Sequence, residues 1–136
     1  MLLSENFTLE EMISSTTAQR LGIPNFPGPV QIVKLTLLCK NILQPIRNKI
    51  KCPLIVTSGF RSSRLNSMVK GSPSSQHLKG EAADIVCKNN HLLWSLILDM
   101  IKNKEIEVGQ LIDEKNLSWI HISLPSSSHK NQILHL

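Results

Sequence analysis

The sequence contains no tyrosine, three phenylalanines and two tryptophans. A stacking surface for single-stranded nucleic acid needs exposed aromatics among basic residues, so that class of function loses its main support. The formal net charge is +5, yet the lysines and arginines are scattered, from Arg20 through Lys34 to Lys79 and onward. No run is dense enough for a nucleic-acid patch, and the excess reads as solvated surface charge. Cysteines number three, at 39, 52 and 87. An odd count without CxxC spacing argues against a disulfide framework and against a thiolate zinc knuckle. Each lies beside apolar residues and is expected to be a small buried side chain. No apolar run reaches transmembrane length, so no membrane partner is expected. The opening MLLSENFTLEE has neither the basic nor the apolar region of a secretory signal. Synthesis in the cytoplasm is expected, with some other exit for any work outside it.

What is present suits a globular fold. At 136 residues and 41% hydrophobic content, residues 1–136 are expected to form one domain that buries about two thirds of its unfolded surface. Thr8 and Glu11 are spaced as a capping box, with Phe7 and Met12 placed as a hydrophobic staple. A short helix should follow and fade in the Ser14–Thr17 cluster, and another turn should run from Ala18 to Leu21 and stop at Gly22. The prolines from Pro24 to Pro29 mark a loop. From Val30 to Ile50 the apolar residues Leu35, Leu38, Cys39, Ile42 and Ile46 recur at helical spacing, and Pro45 is expected to kink or end that helix. Leu54–Thr57 and Ala82–Cys87 read as strands, His91–Asn103 as a helix, and Gly109–Ile112 and Trp119–Leu124 as a hairpin turning at Lys115–Ser118. The tail from Pro125 reads as loop with a fraying end. The order of elements predicts an α+β fold, a small and mainly antiparallel sheet with helices packed on one side.

Between the first two strands, Ser58 to Asp84 reads SGFRSSRLNSMVKGSPSSQHLKGEAAD. A polar connection of that length within a compact fold is uncommon and usually functional. Strand alternation puts Ile120 and Ile122 toward the core and His121 on the opposite face, while Asp84 shares a face with the small Ala82. If these strands share a sheet, His121 and Asp84 converge with His77, which the connection delivers. Two imidazoles and a carboxylate are a three-ligand set for a catalytic zinc, whose fourth position stays open to water. Ser75, Gly80, Ala82 and Ala83 leave room for close approach. Arg61 offers a fork of donors to a carboxylate or an oxyanion on the same face.

Ser58–Ser62 (SGFRS), the SxHxxGxAxD pattern from Ser75 to Asp84, and Trp119-Ile120-His121 resemble the zinc D-Ala-D-Ala carboxypeptidase family, grouped with the lysostaphin and Hedgehog-like zinc peptidases. Phe7–Glu11 and the Asn25–Pro27 region resemble its small single-domain branch from phages and prophages. The resemblance implies Zn2+ held by His77, Asp84 and His121. It implies Arg61 steadying the substrate's carbonyl or carboxylate, Ser75 contacting substrate backbone, and hydrolysis of a peptide bond in the peptidoglycan stem peptide by a monomer. Such an enzyme reaches the wall by phage-type release. Many relatives carry an acidic base three residues before the last histidine ligand, where this chain has Ser118, which cannot serve. The small branch commonly has an acid after a QLI-like strand, matching Glu114. Alternation puts Glu114 on the face of Gln110 and Ile112, and Asp113 on the other. Glu114 is therefore the expected base, with Asp113 and Glu81 as the other candidates. The competing reading is a non-catalytic, zinc-containing module that binds cell wall or belongs to a virion.

Overall fold

The computed structural model describes residues 1–136. Strands β1 (Leu2–Ser4) and β2 (Phe7–Thr8) form a small hairpin that leads into helix α1 (Leu9–Ile13). The capping box is present in full: Thr8 Oγ1 accepts from Glu11 N at 3.2 Å and Glu11 Oε1 accepts from Thr8 N at 2.9 Å. Phe7 and Met12 are both buried beside it. Ser15 caps helix α2 (Thr16–Leu21), which stops at Gly22 in the left-handed region. The N-terminal hairpin had no signature in the sequence, because strands of two and three residues show no alternation.

The long helix begins at Pro29 and runs to Ile50 as α3 (Pro29–Leu38), a π-turn (Cys39–Leu43) and α4 (Gln44–Ile50). Its five stripe residues are fully buried. Pro45 does not end it. The wider turn pairs Gln44 N with Cys39 O, so Pro45 enters within the first turn of a fresh α-segment, where its missing N–H is tolerated.

The main sheet has strand order β3-β4-β6-β5-β7, with β3 (Ile55–Ser58), β4 (Ala82–Val86), β5 (Gln110–Glu114), β6 (Trp119–Ser123) and β7 (Gln132–His135). Every pairing is antiparallel except β5 with β7. One face supplies Ala83, Ile85, Leu111, Ile120 and Ile122 to a 23-residue core shared with α3, α4 and helix α6 (Asn90–Lys102). The α+β architecture is thus the expected one, with the helices on one side of the sheet. Two expectations are corrected. The tail is not all loop: Gln132–His135 adds a parallel edge strand, and the terminal Leu136 N donates to Asp113 O at 2.8 Å. Cys39 is buried, but Cys52 and Cys87 are only half-buried.

The connection from Ser58 to Asp84 is also less irregular than it reads. It contains α5 (Ser63–Met68), capped by Ser62, and a 3₁₀ turn (Gln76–Lys79) capped by Ser75 and ended by Gly80 at φ +72°.

Candidate metal centre and its cavity

The sheet face turned away from the helices carries the polar residues. In the β4–β6 register, Asp84 lies opposite His121 and Ala82 opposite Ser123. In the β5–β6 register, Ile112 lies opposite His121 and Glu114 opposite Trp119. The 3₁₀ turn then brings His77 over the same face, since Ser75 Oγ accepts from His77 N at 3.2 Å and Arg61 N donates to His77 O at 3.1 Å. His77 and Asp84 are buried and His121 is half-buried.

His77 Nδ1 lies 2.7 Å from Gly59 O. A carbonyl only accepts, so Nδ1 carries a proton toward Gly59, and Nε2 is the nitrogen turned to Asp84. That Nε2 is 3.4 Å from Asp84 Oδ1, and His121 Nδ1 is 3.1 Å from the same oxygen. One donor atom from each residue lies within 4.8 Å of the others. A tetrahedral zinc site with bonds of ~2.0–2.2 Å has edges of roughly 3.3–3.6 Å, so the spacing and the donor set both fit such an ion. The Gly59 carbonyl behind His77 is the kind of outer-layer acceptor that fixes an imidazole for metal binding. Burial alone would raise the Asp84 carboxyl. The hydrogen bonds and charge of His121 and His77 outweigh it and hold the group well below the usual carboxylate range.

Around these three residues lies an open cavity of about 780 Å³ whose lining includes Arg61, Ser75, Glu81, Glu114 and Trp119, with Ser126–His129 at its rim. Arg61 donates from Nε to Ser58 Oγ at 3.1 Å and from Nη1 to Asn66 Oδ1 at 3.3 Å, while Nη2 is 3.5 Å from Asp84 Oδ2. Burial lowers its pKa, and Asp84 opposes that.

The three acids differ in what already engages them. Glu114 lines the cavity and its carboxylate makes no hydrogen bond or ion pair within the chain. Glu81 lines it too, but pairs with Lys34 at 3.5 Å. Asp113 is outside the cavity: Oδ1 accepts from Leu117 N at 2.6 Å and Oδ2 faces His135 Nδ1 at 3.2 Å. It holds a turn in which Lys115, Asn116 and Leu117 all have positive φ. Ser118, in that same turn, donates its hydroxyl to Lys115 O.

Sequence reasoning missed three polar residues here. Asn25, 7% exposed, donates to Ile13 O and Phe60 O and accepts from Ser62 N, tying the N-terminal region to the Ser58–Ser62 segment. Asn66 sits behind Arg61. Gln76 lines the cavity, and its buried Oε1 has no hydrogen-bond partner. Asn25 and Gln76 lie in segments that carry the family resemblance and Asn66 does not, and none has a metal-binding or catalytic pattern of its own.

No curated protein matches the chain. The family model described as Peptidase M15 matches residues 5–123. A match over so much of the chain, taking in all three convergent residues, makes the protein a member of the M15 family of zinc D-Ala-D-Ala carboxypeptidases.

Proposed function

We propose that this one-domain protein is a zinc metallopeptidase that hydrolyses a peptide bond in the peptidoglycan stem peptide, as a D-Ala-D-Ala carboxypeptidase or an endopeptidase. The observation that carries the reading is the convergence of His77 Nε2, Asp84 Oδ1 and His121 Nδ1 in an open cavity that also exposes an unpaired carboxylate. These three residues would hold Zn2+. Bound there, the ion supplies the Lewis acidity that brings a water's pKa toward about 7 and polarises a scissile carbonyl.

The chain's own groups divide the remaining work. Glu114 takes a proton on a carboxylate oxygen from the attacking water and gives it to the leaving amine nitrogen. Its freedom from internal partners supports this role over Asp113, whose two oxygens are engaged elsewhere, and over Glu81, paired with Lys34. Arg61 donates to the substrate's carbonyl or carboxylate through N–H groups not taken by Ser58, Asn66 or Asp84. Ser75 Oγ accepts from His77 N, which leaves its O–H to be given to a substrate carbonyl. A monomer acting on the wall after phage-type release fits this reading.

Mass spectrometry of defined muropeptides, incubated with the zinc-loaded protein with and without chelator, tests it. Loss of one terminal D-Ala identifies a carboxypeptidase, and cleavage within the stem an endopeptidase. Activity that survives thorough chelation overturns the metal mechanism. No product from a protein that holds zinc overturns the enzyme in favour of a wall-binding module.

A further inference from the structure

A guanidinium on a long flexible stem is useful in a site only if something fixes its plane. Arg61 carries five N–H donors. Of the three groups that meet it, Ser58 belongs to the adjoining strand and Asp84 to the candidate metal centre. Asn66 is different. It stands on α5, outside the cavity lining, and is 3% exposed. Both ends of its amide are engaged: Oδ1 accepts from Arg61 Nη1 at 3.3 Å, and Nδ2 donates to Ser72 O at 2.9 Å. The Ser72 carbonyl can only accept, so the NH2 end must face it and the oxygen must face Arg61. Its main chain joins in, with Gly71 N donating to Asn66 O at 2.8 Å. Gly71 lies so close that a Cβ there would fall 2.1 Å from Asn66 Oδ1 and 3.0 Å from Arg61 Nη1. The segment from Gly71 to Ser72 is thus closed down on the Arg61–Asn66 contact, and it runs directly into Ser75 and His77.

We propose that Asn66 is a positioning residue for Arg61: its amide oxygen, oriented by the Ser72 carbonyl and covered by Gly71, holds the guanidinium so that its unengaged N–H groups face the cavity. The inference rests on the reading of Arg61 as a substrate-holding group. Donors held in place before the reaction need no reorganisation during it, which is where such a contact acts. An alanine at 66 removes the acceptor and leaves a half-buried guanidinium N–H without its partner. An aspartate keeps an acceptor facing Arg61 but loses the donor to Ser72.

The test compares Asn66→Ala, Asn66→Asp, Gly71→Ala, Arg61→Ala and the Arg61→Ala/Asn66→Ala double variant. Measurements are kcat and KM on a muropeptide, zinc per chain, and the 15N–1H signals of the Arg61 guanidinium in the metal-free protein. In Asn66→Ala, kcat should fall roughly ten- to hundredfold, as for a displaced catalytic-site group, with zinc still bound one per chain and the Arg61 signals broadened by freer rotation. Gly71→Ala should do the same, and Asn66→Asp, which keeps the acceptor but not the donor to Ser72, should recover part of the loss. In the Arg61→Ala background, Asn66→Ala should add less than about twofold, since the two act as one unit. Effects that multiply, an aspartate no better than alanine, or unchanged Arg61 signals in Asn66→Ala would each overturn the proposal. If Arg61→Ala leaves kcat intact, the reading of Arg61 falls instead, while the guanidinium signals still report whether Asn66 holds it.

Discussion

The cavity has two unlike walls. On one, formed by Gly59–Asp84 with His121, nearly every polar group has a partner: His77 on Gly59 O, Asp84 against both imidazoles, Arg61 on Ser58 and Asn66, Ser75 on His77 N. On the other, at the end of the β5–β6 hairpin, Glu114 has none. The contrast suits the two tasks of the proposed reaction. Coordination and oxyanion contacts gain from groups fixed in advance. A proton shuttle must face first a water and then an amine, and a carboxylate tied to a lysine or an amide does neither well.

The largest break in that contrast comes from the bonded wall. His77→Ala should remove bound metal and reduce peptidase activity to background, because a Lewis acid lowers the barrier by several kcal/mol. Zinc stoichiometry read beside turnover checks it, and full activity at full metal content would remove His77 from the ligand set. Next, Glu114→Gln should lower kcat by about 10²–10⁴-fold with zinc content and thermal stability unchanged. Loss of metal in that variant would move Glu114 from the free wall to the bonded one.

Acid titration of the metal-free protein sharpens the comparison further. Asp84's folded carboxyl is held below its unfolded value, burial opposing and the two histidines prevailing. Its contribution to stability is therefore complete above the unfolded pKa of about 4 and is lost as pH falls toward the lower folded value. Denaturation midpoints should drop below about pH 4 in the wild type, and Asp84→Asn should flatten that limb. An equally steep limb in the variant would assign it elsewhere. The smallest effect is expected from Asp113→Asn. Asparagine keeps an acceptor for Leu117 N, so kcat should change less than about threefold and stability by about 1 kcal/mol. A collapse of kcat at unchanged stability would exchange the roles of the two acids.

What the sequence made legible were features with short-range or periodic signatures. The capping box at Thr8 and Glu11 is local chemistry, the Leu35–Ile46 stripe repeats at the helical period, and alternation alone put His121 opposite the core face. The convergence of His77 with Asp84 and His121 follows from β4 and β6 being neighbours. Other elements leave no such trace. In β7 only Leu134 is even half-buried; the strand is held by backbone hydrogen bonds to β5, which no side-chain pattern encodes. In α5 the buried side chains are Leu65 and Asn66, too few to show a period. Asn25 and Asn66 satisfy main-chain groups of segments distant in sequence or just beyond a turn. Their partners exist only after folding.

The last strand has a practical side for anyone who attaches something to this protein. Leu136 N donates to Asp113 O and Leu136 O accepts from Lys115 N at 2.9 Å, so the C-terminal residue is stitched to both neighbours of Glu114. A purification tag or fused partner appended there would leave the fold beside the free wall of the cavity. It would load the Lys115–Ser118 turn that follows Glu114. Attachment ahead of Met1, whose backbone joins the β1–α1 corner, spares that turn, and turnover of the two fusions side by side measures the difference.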